Sequence, residues 1–278
     1  MQRKILMTDC ADERGLIAKI TSVCFKHQLN IIKNSEFVDN LQQRFFMRTE
    51  LEGEFHEEQL LADLQEVLPQ KNQMRLIDAG RKRVVVLVTK EAHCLGDLLM
   101  KAYYGALDVE IAAVIGNYET LASLAGKFDV PFHFVSHEGL TREEHEQALL
   151  HQISPYQPDY VVLAKFMRVL TPGFVKQYPN RIINIHHSFL PAFIGANPYR
   201  QAWERGVKII GATAHFVNDS LDEGPIIKQD VIPVDHNYSA EDMAKAGRDV
   251  EKSVLSRALA LVVNNQVVVN GNKTLVFK

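Results

Sequence analysis

The sequence has few cysteines, and their spacing excludes cross-linked and metal-stapled architectures. Its 278 residues include three cysteines, Cys10, Cys24 and Cys94, which lie far apart and form no C-x-x-C pair. An odd number of scattered cysteines predicts neither a disulfide framework nor a zinc site. Cys94 falls near the start of a predicted helix, where a thiolate can be stabilised, but we expect it to have a buried structural role.

Long blocks of one charge and long apolar runs are missing as well. The 31 basic and 34 acidic residues are interspersed and leave a net charge of -3, which argues against a nucleic-acid partner. The first ten residues contain no apolar segment of signal-peptide length, and apolar runs such as VVVLV at 84–88 are too short to span a bilayer. We therefore expect a cytoplasmic protein with no membrane partner.

The first part of the sequence alternates between strand and helix patterns in the order β-α-β-β-α-β. Strands are predicted for KILMTDC, IIKNSEFV, RFFMRTELE and QMRLIDA, and helices for GLIAKITSVCFKH and HEEQLLADLQEVL. In the first helix, apolar residues recur at helical spacing from Leu16 to Cys24, which predicts one face packed on a sheet. This order is that of the ferredoxin-like split βαβ fold.

A D-x-x-G-L motif, Asp12 to Leu16, lies at the first strand-to-helix turn. Gly15 either lets the backbone approach a ligand there or serves the turn alone. The unit resembles the ACT family of small amino-acid-binding regulatory domains. That resemblance implies an effector bound around Asp12, Gly15 and Leu16, with glycine or methionine as candidates. It also implies a homo-oligomer, a dimer or a tetramer, because the edge strands of such sheets can pair with another copy.

The pattern changes after the polar segment DAGRKR at 78–83, so we expect domains over 1–80 and 84–278. Short apolar runs such as VVVLVT, VEIAAVIGN and DYVVLA then alternate with helical stretches such as CLGDLLMKAYYG, ETLASLAGKF and TREEHEQALLHQI. Such a pattern predicts a doubly wound, mostly parallel α/β sheet covered on both faces. The chain is expected to close with a helix over 239–264 and a strand pair around the turn 270–272.

Polar side chains gather where two of these strands end. The stretch NIHHSFLP at 184–191 follows an apolar run, and ligands of such sheets bind beyond the carboxyl ends of the strands. Side-chain alternation predicts Asn184 and His186 on one face and His187 on the other, which would separate the two histidines. The stretch ATAHFVNDSLDEGP at 212–225 follows the next run, and its turn residues predict a loop. His215 within it is expected to be a buried histidine behind the site.

Together, N-x-H, S-x-L-P and H-F-V-x-x-x-L-D-x-G-P resemble the formyltransferase family that uses 10-formyltetrahydrofolate, and VLAKFMRVLTPGFV at 162–175 matches the segment before them. The resemblance covers nearly all of residues 84–235. It implies a catalytic triad of Asn184, His186 and Asp222. His187 and His215, from their places in the sequence, are candidates for supporting the triad from behind. The resemblance further implies that the folate is held by Arg168, Val169, Leu170, Asp219, Ser220, Glu223 and Gly224.

The implied chemistry suits these residue types. The Asn184 amide can donate to an oxyanion without changing charge. His186 paired with the carboxylate of Asp222 would favour the protonated imidazole and supply a proton near neutral pH. No step needs a metal or another cofactor, and the folate is the substrate.

The nucleophile is predicted from what the sequence lacks. Purine-forming transformylases carry a Gly- and Ser-rich loop for the ribonucleotide phosphate, whereas here the same place reads VTKEAHCLGDLL at 88–99. Lys90, Glu91 and His93 either shape the folate site and block an acceptor, or are ordinary loop residues.

The chain resembles the bacterial formyltetrahydrofolate deformylase family in its ACT-like first domain, its doubled histidine and its segment GRDVEKSVLSRAL. That implies hydrolysis to formate and tetrahydrofolate, which balances the one-carbon pool and supplies formate for purine synthesis.

Three other functions are compatible with the residues. One is formyl transfer to another amine; aminoacyl-tRNA is disfavoured as the acceptor because the sequence has no basic strip. The second is a catalytically inactive module that senses folate or amino acids. The third is a metal hydrolase with His186, His215 and Asp222 as ligands, which insensitivity to a chelator would exclude.

Overall fold

The structure is a computed structural model that describes residues 2–193 and 197–277. Its chain divides into two compact units. The first comprises residues 2–80, 264–266 and 277, and the second comprises residues 81–263 and 267–276. Among the described residues, no helix combines the length and the apolar character needed to cross a membrane.

The first unit is a four-stranded antiparallel sheet with two helices. Its elements are β1 (Gln2–Ala11), α1 (Leu16–Lys26), β2 (Asn30–Asp39), β3 (Arg44–Gly53), α2 (Glu57–Val67) and β4 (Gln73–Asp78). The strand order is β2-β3-β1-β4. The predicted βαββαβ order and ferredoxin-like fold are confirmed.

The core of this unit lies between the helices and one sheet face. The buried residues of α1 are Leu16, Ile20, Val23 and Cys24, the stripe that helical spacing predicted. Gly15 precedes α1 with φ +86°, a left-handed conformation that glycine adopts without a steric penalty. Burial of this stripe contributes about 1.5–3 kcal/mol for each large aliphatic side chain.

A buried arginine ties the segment after the last long helix of the chain to this first unit. The Arg48 side chain is only 3% exposed. Its guanidinium group donates to the backbone oxygens of Asn264 and Asn265, at 2.9 and 2.8 Å, and to Glu50 at 2.6 Å. Because buried charges are costly unless they are fully hydrogen-bonded, these acceptors explain how Arg48 is tolerated.

The second unit is an α/β domain around a seven-stranded sheet. Its strands are β5 (Lys82–Val88), β6 (Val109–Gly116), β7 (Phe132–Phe134), β8 (Tyr160–Ala164), β9 (Ile182–His186), β10 (Ile209–Phe216) and β11 (Ile226–Pro233). Its helices are α3 (His93–Tyr103), α4 (Ala122–Gly126), α5 (Arg142–Ile153), α6 (Pro172–Val175), α7 (Pro198–Arg205) and α8 (Ala240–Val263). Two 3₁₀ helices span Glu119–Leu121 and Ser154–Tyr156, and a hairpin of β12 (Val267–Asn270) and β13 (Lys273–Val276) follows α8.

The strand order is β11-β10-β9-β8-β5-β6-β7. The strands from β5 to β9 pair in parallel, and β10 and β11 pair antiparallel at one edge. The predicted doubly wound, mostly parallel sheet is confirmed. Alternate residues of β5 explain why its sequence is apolar throughout: Val84, Val86 and Val88 pack with α3 and α8, while Val85 and Leu87 pack with α5 and α6.

Candidate active site

A cavity of about 660 Å³, the first cavity, lies beyond the carboxyl ends of β8 and β9. Asn184, His186 and Asp222 all line it, although 38 residues separate the first from the last in the chain. This is the edge of the sheet at which doubly wound domains bind their ligands. The structure therefore brings the three predicted catalytic side chains together on one wall.

His186 and Asp222 form a close pair. His186 Nδ1 lies 3.3 Å from Asp222 Oδ2, and both side chains are at least nine-tenths buried. Burial by itself raises the pKa of the Asp222 carboxyl, but His186, together with His215 and His187, outweighs it and holds that pKa below its ordinary value. Asp222 is therefore an anion near neutral pH. His186 Nε2 is buried and has no hydrogen-bond partner among the described residues, so it is free to serve a substrate atom.

Asn184 is oriented by its cross-strand neighbour His215. The two residues are paired in the β9–β10 register, and Asn184 Nδ2 lies 3.3 Å from His215 Nε2. His215 Nδ1 lies 2.9 Å from the carbonyl oxygen of Phe216, which can only accept, so Nδ1 carries the proton. Burial lowers the pKa of His215, which keeps the ring neutral and leaves Nε2 as an acceptor for Asn184. One N–H of Asn184 is thereby fixed, and the other remains for a ligand.

The prediction that His186 and His187 are separated is wrong. Their ring centroids are 5.2 Å apart with an angle of 26° between the planes, and both rings line the first cavity. The physical reason is that β9 ends at His186, so the alternation of side chains along a strand does not extend to His187.

The predicted folate-binding residues fall into two groups. Arg168, Val169, Leu170, Asp219 and Ser220 lie on the wall of the first cavity. Glu223 and Gly224 are not among the described wall residues. They support the loop instead: the Glu223 carbonyl accepts from Asn272 at 3.0 Å, and a Cβ at Gly224 would lie 1.7 Å from the Phe216 carbonyl oxygen. This close packing beneath the loop sets the position of Asp222, whose own φ of +57° is left-handed.

The wall segment from Phe166 to Thr171 is held by α5. The Glu146 carboxylate, 4% exposed, accepts from the Thr171 backbone N–H at 2.7 Å and from its hydroxyl. Thr171 in turn caps α6 through the N–H of Phe174. His145 stacks on Phe166 with ring centroids 6.4 Å apart. Sequence reasoning missed Glu146, although an acidic residue on the apolar stripe of a predicted helix was a usable signal.

A second cavity of about 510 Å³ adjoins the first and shares Lys165, Met167 and His187 with it. Its polar centre is Glu251, which is 1% exposed. Glu251 Oε1 accepts from the Tyr199 hydroxyl at 2.6 Å, and Oε2 lies 2.8 Å from His93 Nε2 and 3.1 Å from Lys165 Nζ. Burial alone raises the pKa of Glu251, but these three partners lower it to about 2, so the group is ionised.

Sequence reasoning missed Lys165 and Glu251 as site residues. Lys165 directly follows the apolar strand β8, and the strand-end rule that identified Asn184 applies equally to it. Glu251 lies on the buried stripe of α8 between Val250 and Val254. Both signals were present, but neither residue belongs to the motif that drew attention to the site.

The loop at 90–93 contributes to the second cavity. Glu91 lines it and His93 contacts Glu251, while Lys90 lies over the Tyr118 ring at 4.0 Å from the centroid.

The prediction that Cys94 is a buried thiol is confirmed: all three cysteines are buried, and burial raises the pKa of Cys94 well above its ordinary value.

Among the described residues, one group could offer three metal ligands, His93, Cys94 and Glu251, whose ligand atoms lie within 4.8 Å of one another. Lys165 already lies against Glu251, and the Cys94 thiol is protonated, so the donor set is a poor one for a cation.

The predicted effector residues lie at the turn between β1 and α1. Asp12 is exposed, and its backbone N–H donates to the Gln43 carbonyl at 2.9 Å. Leu16 is 2% exposed and belongs to the core of the first unit. The turn thus offers a backbone at Gly15 and a carboxylate at Asp12, while the Leu16 side chain faces inward.

Comparison with known proteins matches both units to families. Residues 82–259 match the formyl transferase family, and residues 4–69 match the ACT domain family. The chain is 68% identical over 276 residues to a formyltetrahydrofolate deformylase of Escherichia coli, with 99% of each chain covered. It superimposes on a formyltetrahydrofolate deformylase from Pseudomonas syringae with a TM-score of 0.95 at 40% identity, covering 100% of this chain and 95% of that one.

A glycinamide ribonucleotide transformylase from Symbiobacterium toebii is similar over a shorter span. Its TM-score is 0.70 at 30% identity, and the match covers 73% of this chain and 97% of that one. The deformylases thus match both units in full, whereas the transformylase lacks a counterpart to part of the chain. The chain belongs to the formyltetrahydrofolate deformylase family of hydrolases.

Proposed function

We propose that the chain hydrolyses 10-formyltetrahydrofolate to formate and tetrahydrofolate in the first cavity. The observation that carries the proposal is the pairing of His186 with Asp222 at 3.3 Å on the wall that also holds Asn184. The names of the relatives that match the whole chain support the same substrate. The pterin and its neighbouring atoms would lie against residues 168–170 and 219–220, which provide both apolar surface and polar groups on the same wall.

Asn184, His186 and Asp222 have separate roles in this reaction. The oxygen of water attacks the formyl carbon, and the carbonyl electron pair moves to oxygen, where the free N–H of Asn184 stabilises the negative charge. The water gives up one proton to a neighbouring neutral base as its bond to carbon forms. Protonated His186, held by the anion of Asp222, then gives its Nε2 proton to the folate nitrogen as the carbon–nitrogen bond breaks. Formic acid leaves as formate after losing a proton to solvent.

The first test is release of formate from 10-formyltetrahydrofolate by the purified protein, with no amine acceptor and with a chelator present. We expect steady release by the parent and a loss of kcat of about 100-fold or more in Asp222→Asn, which keeps the shape but removes the charge that supports protonated His186. Asp108→Asn, the same change at an exposed ion pair with Arg81, serves as the control.

The outcomes of this test separate the alternatives. Formyl loss only after an amine is supplied would identify a transferase. Activity abolished by the chelator would indicate a metal hydrolase. No formyl loss under any condition would indicate a binding module.

We further propose that the formate released here supplies purine synthesis and balances the one-carbon pool.

For the first unit, we propose binding of a small amino acid at the turn around Asp12 and Gly15. The exposed carboxylate and the left-handed glycine backbone support this assignment. Glycine and methionine are the candidates, and titration of hydrolysis with each is the measurement. A response to neither, in a protein that hydrolyses the folate, would remove the proposal.

We also propose that the chain forms a homo-oligomer, either a dimer or a tetramer. The sheet of the first unit leaves β2 and β4 as edge strands, and Ile32 and Phe37 on β2 are each more than two-fifths exposed. Light scattering across a range of concentrations measures the assembly, and a monomer mass throughout would contradict it.

A further inference from the structure

His187 lies at the boundary between the two cavities and lines both of them. One face of its ring lies along His186, and the Tyr199 ring centroid is 6.1 Å away. Within the described residues, neither ring nitrogen of His187 has a hydrogen-bond partner. A half-buried imidazole without protein partners, beside a catalytic histidine, is available to a water molecule or a substrate atom.

Its surroundings keep His187 neutral. Burial and then the positive charge of Lys165 lower the pKa of His187 to about 4, and His186 contributes in the same direction, against the opposing charges of Glu251 and Asp222. His186, in contrast, is paired with the Asp222 anion. Two stacked histidines thus have different charged neighbours, a carboxylate beside His186 and a lysine acting on His187, and such a difference can separate an acid from a base.

The second cavity has polar lining groups that can hold a water molecule beside His187, among them Lys165 and Tyr199. The buried carboxylate there, Glu251, already has Tyr199 on one oxygen and His93 and Lys165 on the other. Three donors thus already surround this carboxylate, and the positive charge of Lys165 balances it.

We propose that His187 receives the attacking water from the second cavity and acts as its general base, which makes it a catalytic residue. The inference rests on the proposed function. The neutral imidazole accepts a hydrogen bond from the water and takes one proton as the oxygen bonds to the formyl carbon. His186 gives a different proton to the folate nitrogen. After product release, His187 returns its proton to solvent and His186 regains one.

The chemistry of the site is consistent with this division. A base whose pKa is near 4 is as basic as a carboxylate and is unprotonated throughout the neutral range. Lys165, which lines both cavities, therefore has a positioning and electrostatic role: its charge prevents His187 from taking a proton from solvent before the water attacks. Glu251 holds Lys165 in this place.

The test compares His187→Ala and the bulkier His187→Gln with the parent in the formate-release assay. We expect kcat to fall about 100-fold or more in both, with KM for the folate within about threefold of the parent. Added imidazole should restore part of the activity of His187→Ala, a rescue that loss of packing alone does not show. His236→Ala, at an exposed histidine, is the control, and unfolding temperatures identify any variant that fails to fold.

A second measurement addresses the role of Lys165. In Lys165→Met, His187 no longer faces a positive charge, so its pKa should rise. The acid limb of the pH dependence of kcat should therefore move to higher pH by about one unit. Parental kcat and an unchanged profile in both His187 variants would overturn the inference while leaving hydrolysis intact. Absence of formate release by the parent would instead overturn the proposed function, so the two failures are distinguishable.

Discussion

At the scale of single residues, the role of Asn184 depends on which of its atoms faces the ligand. His215 Nε2 accepts one N–H of Asn184 because the other ring nitrogen donates to the Phe216 carbonyl. The amide therefore cannot flip without losing this bond. A neutral donor fixed in this way can stabilise a developing oxyanion without repelling it in the ground state.

Replacement of Asn184 by aspartate tests this role. Asn184→Asp preserves the shape but places a negative charge where the oxyanion forms, so we expect kcat for formate release to fall about 100- to 1,000-fold. Formate release at saturating folate is the measurement. Asn180→Asp, at an exposed left-handed position that aspartate also tolerates, is the matched control. Equal activity of Asn184→Asp and the parent would exclude an oxyanion role.

Sequence reasoning anticipated that the residues of the motif lie close together, but it missed residues whose position depends on contacts alone. Asn184, His186 and Asp222 were predicted to act together, and they line one cavity. The stacking of His187 on His186 was not predicted, because it depends on where β9 ends. The pairing of Lys165 with Glu251 joins residues 86 positions apart, and no local pattern encodes such a contact.

At the scale of elements, Gly224 determines how closely the loop carrying Asp222 approaches β10. A methyl group at Gly224 would lie 1.7 Å from the Phe216 carbonyl oxygen, so Gly224→Ala must displace the backbone of the loop. We expect a lower unfolding temperature and a cost of about 1–3 kcal/mol, with a larger proportional loss of formate release. Thermal unfolding and the activity assay measure the two effects.

The control for this change is Gly126→Ala at the end of α4, where an added Cβ meets no atom within 4 Å. That variant should retain the parental unfolding temperature and activity. If Gly224→Ala behaved in the same way, the loop would not depend on close packing against β10.

The contact between α5 and the wall segment offers a second prediction at this scale. In Glu146→Ala, both carboxylate oxygens that now accept from the Thr171 backbone N–H and hydroxyl are removed, so both hydrogen bonds are lost. The segment should loosen, and KM for the folate should rise about tenfold, equivalent to about 1.4 kcal/mol, while kcat changes less. Gln147→Ala, exposed on the same helix, is the control. An unchanged KM would show that the wall is held by other contacts.

Most elements were predictable from periodicity, and the exceptions have physical causes. Helix α8 spans Ala240–Val263, close to the predicted 239–264, because its apolar spacing continues for many turns. The stretch ETLASLAGKF was predicted as one helix, but it forms the 3₁₀ helix Glu119–Leu121 and the five-residue α4. Short helices depend on tertiary packing more than on propensity, so their type and length escape a reading of local pattern.

At the scale of the whole molecule, the family was predictable because motifs from both units occur together in one chain. Neither the D-x-x-G-L turn nor the N-x-H strand end is specific alone. The antiparallel pairing of β10 and β11 at one edge of a mostly parallel sheet was not predicted in detail, since strand direction depends on connections between distant segments.

The stability of the second unit should fall as the solution is acidified. Burial lowers the pKa values of His145, His187 and His215, with that of His187 at about 4. Between pH 6.5 and 4 the unfolded chain binds protons at these rings that the folded chain does not, so the free energy of unfolding decreases with decreasing pH. His187 alone accounts for a loss of about 3 kcal/mol once the pH is below 4.

Trp203, the single tryptophan of the sequence, lies in α7 and reports unfolding of the second unit by its fluorescence. Denaturant titrations at intervals from pH 7 to pH 5.5 measure the slope of the unfolding free energy against pH in a range where ordinary carboxyl groups contribute little. We expect a shallower slope for His187→Asn and the parental slope for His236→Asn, because His236 is exposed. A free energy of unfolding that stayed constant over this range would mean that the buried histidines take up protons in the folded state as readily as in the unfolded one.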